Sequence, residues 1–184
     1  MTFTGGRSSQ PVWAPDGKHI LFQSGGNSLS WMRSDGAEAP QKLLEGPNNV
    51  IVPSSFSPDG HWLAYFDVGQ DSGSDLGTLP LDLSDPDHPK PGKPEPFLRT
   101  PADEMLPRFS PDGRWIAYRS NESGIPEIYV RPFPAGSGGK WQISSGGALY
   151  ALWSNNGREL FLETADNRIM VVDYKGGRRY FRGW

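Results

Sequence analysis

Three aspartates recur at one position of a twelve-residue unit, and recurring carboxylates invite an acid–base or metal-binding reading. They are Asp16 in "WAPDGKHILFQS" (13–24), Asp59 in "FSPDGHWLAYFD" (56–67) and Asp112 in "FSPDGRWIAYRS" (109–120). A fourth unit, "WSNNGRELFLET" (153–164), carries asparagine there. The chemistry such an aspartate performs most simply is local: it accepts hydrogen bonds from backbone amides about two residues on and closes a hairpin. A second acidic set, Asp67, Asp71 and Asp75, is spaced by four in "DVGQDSGSDLG". Loop carboxylates suit calcium, which takes several oxygens at once, although the EF-hand spacing is missing. The histidines, His19, His61 and His88, form no H-x-x-x-H pattern, and the chain has no cysteine, so zinc is not expected. No G-x-S-x-G elbow, phosphate loop or kinase motif is present. The sequence therefore predicts no cofactor, with calcium at Asp67, Asp71 and Asp75 the one metal in view.

Short strands must position these residues. The chain carries 23 glycines and 18 prolines, which leave almost no room for helices of ordinary length. The segments between them, such as "WLAYF", "WIAYRS", "EIYVRPF" and "IMVVDY", are rich in β-branched and aromatic residues. The turn dipeptides at 16–17, 59–60, 112–113 and 156–157 lie 43, 53 and 44 residues apart. A period of about 40–50 residues with a turn-and-aromatic signature marks an all-β propeller, each repeat forming one four-stranded blade. The expected organisation is a single propeller domain, or propeller fragment, over 1–184. Its repeats fall at about 11–52, 53–106, 107–148 and 149–184. Trp13, Phe56, Phe109 and Trp153 each end an inner strand and are expected to be buried between blades. Third strands are expected at 29–33, 76–83, 127–133 and 169–174, and fourth strands at 41–44, 96–99 and 140–143. The last repeat shows no clear fourth strand. Residues 1–10, with Phe3, are expected to close it, and "RRYFRGW" at the C-terminus is the alternative.

The loops joining each outer strand to the next inner strand gather at one mouth of a propeller channel. Here they read "GGRSSQ", "EGPNNVIV", "TPADEML" and "SGGALYA". They would bring Arg7, Asn48, Asn49, Asp103, Glu104 and Tyr150 together, and polar groups beside an aromatic suit a small-molecule or protein ligand. The net charge of −3, without clustered Lys or Arg, argues against a nucleic-acid partner. No 18-residue apolar run and no apolar h-region are present, so neither membrane insertion nor a signal peptide is expected, and no compartment is assigned.

The "SPDG" unit resembles the TolB-like propeller repeat. The stretch "SNESGIPEIYVRPFPAGSGGKWQISSGG", followed by "LWSNNGRELFL", is similar to the propeller segments of bacterial eukaryotic-like serine/threonine kinases and related sensor proteins. The resemblance runs from Phe3 to about Tyr174. It implies a binding or interaction propeller within a larger bacterial sensor or scaffold protein. Six or more blades are usual there and four are written here, so a fragment, a small ring and an eight-bladed homodimer are all open. Two other functions remain in view. One is a propeller hydrolase acting on a sugar, lactone or ester through mouth carboxylates. The other is the accessory propeller of a prolyl-oligopeptidase-type peptidase. The expectation is a non-catalytic module, with no turnover of generic ester, glycoside, lactone or peptide substrates. A hydrolytic rate abolished by Glu104→Gln would sink that expectation.

Overall fold

The strands are laid out by four hydrogen-bonded turn cassettes. In the third, Ser110 N donates to Trp115 O (2.9 Å) and Gly113 N to Ser110 O (2.9 Å). The Ser110 hydroxyl donates to Asp112 Oδ1 (2.6 Å) and accepts from Trp115 N (3.0 Å), while Arg114 N donates to Asp112 Oδ1 (3.1 Å). Ser57, Asp59 and Trp62 repeat the pattern, as do Ser154, Asn156 and Glu159. Asparagine serves in the fourth because its amide oxygen accepts the same two bonds. Gly17, Gly60, Gly113 and Gly157 all sit at positive φ, between 64° and 78°, a region glycine enters without steric cost. In the first cassette Ala14 supplies no hydroxyl. The His19 amide turns instead to Asp16 Oδ1 (3.1 Å), and His19 Nδ1 meets Asp16 Oδ2 at 2.6 Å.

The computed structural model describes residues 8–46, 49–69, 73–136, 139–174 and 181–182. These form four antiparallel sheets and no helix. Sheet 1 holds β1 (Ser8–Trp13), β2 (His19–Ser24), β3 (Ser28–Arg33) and β4 (Gln41–Glu45). Sheet 2 holds β5 (Val50–Phe56), β6 (Trp62–Val68), β7 (Ser74–Asp82), β8 (Lys90–Pro91) and β9 (Glu95–Leu98), the last two both pairing with β7. Sheet 3 holds β10 (Glu104–Phe109), β11 (Trp115–Ser120), β12 (Glu127–Pro132) and β13 (Trp141–Gln142). Sheet 4 holds β14 (Ala148–Trp153), β15 (Glu159–Thr164), β16 (Ile169–Tyr174) and β17 (Phe181–Arg182). This is an all-β propeller with four blades. The strands β1, β5, β10 and β14 are innermost, and each packs along the next.

Every inner strand has its register broken once, between Ser9 and Val12, Pro53 and Ser55, and Met105 and Arg108, each ending just before the aromatic, and further from it between Ala148 and Tyr150 in sheet 4. Bulges bend and twist a strand. Pro11 and Pro107 fall inside two of them, where a residue without an N–H removes no ladder bond.

Adjacent sheets bury one apolar cluster between each pair. Each cluster draws members from two three-residue rows running across the strands. The forward row of a sheet meets the next sheet: Val12, Leu21 and Trp31 in sheet 1; Ser55, Ala64 and Thr78 in sheet 2; Arg108, Ala117 and Val130 in sheet 3. The backward row meets the preceding sheet: Phe56, Leu63 and Leu79; Phe109, Ile116 and Arg131; Trp153, Leu160 and Val172. The long insertion in the second repeat adds a clasp over sheet 1. Trp31 Nε1 donates to Pro86 O (3.0 Å), Gln41 Nε2 donates to Pro89 O (2.9 Å), and His19 Nε2 meets Asp87 Oδ1 (3.0 Å).

Three expectations are corrected here. Phe109 and Trp153 are buried and Phe56 half-buried, but Trp13 is 61 % exposed. An aromatic at this position packs on the preceding sheet, and no sheet among the described residues precedes the first. Ser8, Ser9 and Gln10 open the inner strand β1 rather than an outer closing strand, and residues 1–7, with Phe3, lie outside the described residues. The outer position of sheet 4 is taken from the C-terminal side, where Phe181 pairs with Tyr174 and Arg182 with Asp173.

Phe109 stacks edge-on against Phe133 at 4.8 Å between ring centres. Phe109→Ala should therefore lower unfolding free energy by about 3–5 kcal/mol in urea titration, the range for truncating a buried aromatic. A loss below about 1 kcal/mol would mean that the row does not hold the sheets together.

Candidate functional site

The four inner strands converge at their C-terminal ends, just before the cassettes. There they wall a cavity of about 420 Å³. Its surface is made largely of rings and prolines: Trp13, Phe56, Phe109 and Trp153 with Pro15, Pro58 and Pro111. One lining side chain is ionisable, Arg108. It occupies the first position of the forward row, where the other sheets carry Val12, Ser55 and Leu152.

The backbone around Arg108 is held from both sides. Its carbonyl accepts the Trp153 indole N–H (3.0 Å), and the neighbouring Phe109 amide donates to Ser55 Oγ (3.0 Å). The guanidinium Nη1 donates to Ser54 O at 2.6 Å. No carboxylate pairs with it among the described residues, and burial alone pushes its pKa down. A guanidinium carries five N–H donors, so most of its hydrogen-bonding capacity is not used by Ser54.

The opposite end of the inner strands, where the sequence placed the mouth, is occupied by local contacts. Arg7 and Asn48 lie outside the described residues. Asn49 Nδ2 donates to Asp67 Oδ1 (3.4 Å). Asp103 accepts from the Asn121 amide (2.9 Å) and from Ser74 N (3.1 Å), which ties sheet 2 to sheet 3. Glu104 is fully buried at the start of β10. Its Oε1 accepts from Thr100 Oγ1 (2.5 Å) and Ser120 Oγ (3.4 Å), and its Oε2 finds no partner. Burial pushes its pKa up, partly offset by the Thr100 bond, with the Asp75 charge adding to the rise. Tyr150 is 51 % exposed on β14. None of Asn49, Asp103, Glu104 and Tyr150 lines the cavity.

The acidic set meant for calcium also changes character. Asp67 and Asp75 are not loop residues: they stand directly opposite each other on β6 and β7. Burial, then the Asp75 charge, pushes the Asp67 pKa up. Asp71 lies outside the described residues. Among the described residues no group of three or more acidic, His or Cys side chains has metal-holding geometry. The repeat aspartates each serve their own turn, with Asp112 also accepting from the Tyr174 hydroxyl (2.8 Å) across sheets 3 and 4. Burial acts upward on Asp112, but bonds from Ser110, Arg114 and Tyr174 hold its pKa at about 2.

Glu104 has a measurable signature. A folded-state pKa above the unfolded one gives stability that is present at low pH and lost as pH rises through the folded value. Glu104→Gln should therefore raise the unfolding free energy from urea titration near pH 7.5, by about 1 kcal/mol for relief of a buried charge. The gain should vanish toward pH 4. A gain that does not change with pH would contradict the assignment.

Comparison with solved structures gives the fold a setting. TolB from Acinetobacter baumannii is similar at TM-score 0.63 and 19 % identity, over 97 % of this chain and 44 % of that one. The β-propeller domain of Cps50 (Swd1) from Myceliophteria thermophila is similar at TM-score 0.65 and 16 % identity, over 92 % of this chain and 52 % of that one. A puromycin-hydrolyzing peptidase from Mycobacterium tuberculosis is similar at TM-score 0.69 and 14 % identity, over 97 % of this chain and 31 % of that one. At such identities the likeness shows the fold alone, a β-propeller. The chain spans less than half the length of the TolB structure. No family model matches the chain, and no curated protein matches its sequence.

Proposed function

We propose that this propeller is a non-catalytic binding module, and that its inner-strand cavity takes an anionic group on an apolar body, such as the carboxylate of a peptide or small acid. The observation that carries the reading is Arg108, a half-buried guanidinium with no carboxylate partner among the described residues, set in a wall of rings and prolines. Burying a cation is costly unless it is paired. A ligand carboxylate would supply acceptors for the free N–H groups of the guanidinium fork. The aromatic and proline walls suit the apolar remainder.

The same lining supports binding over turnover. It holds no carboxylate and no histidine, so no acid–base pair faces the cavity. The mouth carboxylates of the hydrolase alternative are a poor pair, because Asp103 is tied to Asn121 and Ser74 while Glu104 is fully buried. The resemblance to the propeller segments of bacterial kinases and sensors supports a place in a larger sensor or scaffold protein.

The test is calorimetric. Short aromatic peptides with a free C-terminal carboxylate are compared with the same peptides amidated. The acids should bind at least about tenfold tighter, a difference of about 1.4 kcal/mol. Arg108→Met should remove the preference and Arg108→Lys keep part of it, with both variants checked for cooperative unfolding. Equal binding of acid and amide, or an unchanged preference in Arg108→Met, would overturn the reading.

A further inference from the structure

His19 is a buried titratable group outside the inner-strand cavity. It opens β2, is 3 % exposed and lies flat against Trp31, with ring centres 5.0 Å apart. Both of its ring nitrogens face carboxylates. Nδ1 lies 2.6 Å from Asp16 Oδ2 in the first cassette, and Nε2 lies 3.0 Å from Asp87 Oδ1 in the insertion between β7 and β8. An ionised carboxylate only accepts hydrogen bonds, and a neutral imidazole offers a single N–H. Burial acts upward on Asp16, but bonds from the Lys18 amide, the His19 ring and the His19 amide hold its pKa below the usual carboxylate range. The His19 bond holds Asp87 low as well, against some burial, and the Arg33 bond adds to it. With both carboxylates ionised, the two contacts are satisfied together only by the doubly protonated ring.

We infer that His19 is a proton-operated latch: its imidazolium ties the insertion between β7 and β8 to sheet 1, and loss of that proton releases the insertion. A neutral ring turns a lone pair toward one of the two carboxylates. The Asp16 contact is the shorter and stays within one turn, whereas Asp87 is 68 residues away in the chain, so the Asp87 contact gives way. The insertion is also held by Arg33 Nη1 on Asp87 Oδ1 (3.2 Å), by Trp31 Nε1 on Pro86 O (3.0 Å) and by Gln41 Nε2 on Pro89 O (2.9 Å). Asp87 adjoins Pro86, so its release loosens the Trp31 bond first. Beneath the insertion lies a cavity of about 320 Å³, lined by Trp31, Met32, Arg33, Gln41, Asp87 and His88 among others, and release opens it.

The other charges around the ring fix the direction of the switch. Arg33 stands opposite His19 on β3 and is shared between Asp35 and Asp87. Lys18 is exposed, and the exposed His88 meets Glu38 Oε2 (3.5 Å) and Asp85 Oδ2 (3.2 Å). Ion pairs at such exposure contribute little. The closed latch holds a proton that the open one gives up, so closure is favoured at lower pH and is lost as pH rises. Protonating Asp16 or Asp87 loosens the same contacts from the acid side, so closure is strongest between the two. The latch is independent of the inner-strand cavity, and a chain that binds no anion would still carry it.

Nitrogen-15 NMR of the unmodified chain tests the first half: while Trp31 is bonded to Pro86, both His19 ring nitrogens should carry protons. Solvent exchange of the Trp31 indole N–H, assigned with Trp31→Phe, tests the second. Asp87→Asn offers an amide N–H to a neutral ring, so its latch should hold without the second proton. The ratio of Trp31 exchange rates, unmodified chain over Asp87→Asn at the same pH, cancels the intrinsic pH dependence of exchange. It should stay near one while His19 is protonated and rise as the ring loses its proton. His88→Gln removes the other histidine of the insertion and should leave that rise in place. A His19 ring with one bare nitrogen while the Trp31 bond persists would overturn the inference. So would a ratio that stays flat through the titration of the ring, or a rise that disappears in His88→Gln.

Discussion

The bond from a serine hydroxyl to an acidic or amide side chain two residues on is the contact from which this propeller is built. In the second to fourth cassettes the same hydroxyl accepts the amide five residues on, so one side chain ties both ends of a six-residue turn. That tie fixes where each inner strand stops and where the second strand starts. It thereby places the aromatic just before it and the row across the sheet. Because the bonds are internal to the turn, a blade can diverge elsewhere without losing its register. Sheet 1 shows the reach of this tolerance: Ala14 removes the hydroxyl, and His19 and Asp16 replace the lost bond from within the same turn.

A sheet laid out this way has two apolar faces, and among the described residues the forward face of sheet 4 carries Leu152, Ile169 and Val171 exposed. Burial on one side only leaves large side chains in water, and such patches drive association. The exposure of Trp13, Leu152 and Ile169 is therefore not scattered surface hydrophobicity. Trp13 and Ile169 sit at repeat positions where Phe109, Trp153 and Ile128 are buried, while the equivalents of Leu152, namely Val12, Ser55 and Arg108, are half-buried. The cassettes also bring Arg108 to the inner-strand ends, so the features that end the strands build the cavity as well.

Much of this was legible in the sequence. The spacing of the turn dipeptides gave the blades, and the β-branched and aromatic runs gave the strands to within a few residues. The remainder depended on context that a repeat alignment does not carry. Trp13 matches Trp153 residue for residue, yet Trp153 is buried against sheet 3 while Trp13 has no such sheet beside it among the described residues. Glu104 reads as a loop carboxylate in "TPADEML", but it pairs with Ser120 and opens β10, so it is drawn inside. Asp67 and Asp75 read as loop residues because glycine and serine surround them, whereas β6 and β7 extend far enough to pair them. Arg108 does not stand out in the repeat because the position before the aromatic varies freely, as Val12, Ser55 and Leu152 show. The signal was there: one cation stands among Val12, Ser55 and Leu152.

The proposed binding site thus lies at the cassette end of the inner strands, not at the loops of the opposite end. Amide chemical-shift mapping tests this most directly, with the isotope-labelled chain titrated with an aromatic carboxylate such as benzoate. The expected shifts are confined to the lining at 12–13, 55–57, 108–110, 152–153 and 155, where Arg108 and the rings meet. Shifts centred instead on Asn49, Asp103 and Tyr150, with the cassette end silent, would contradict it.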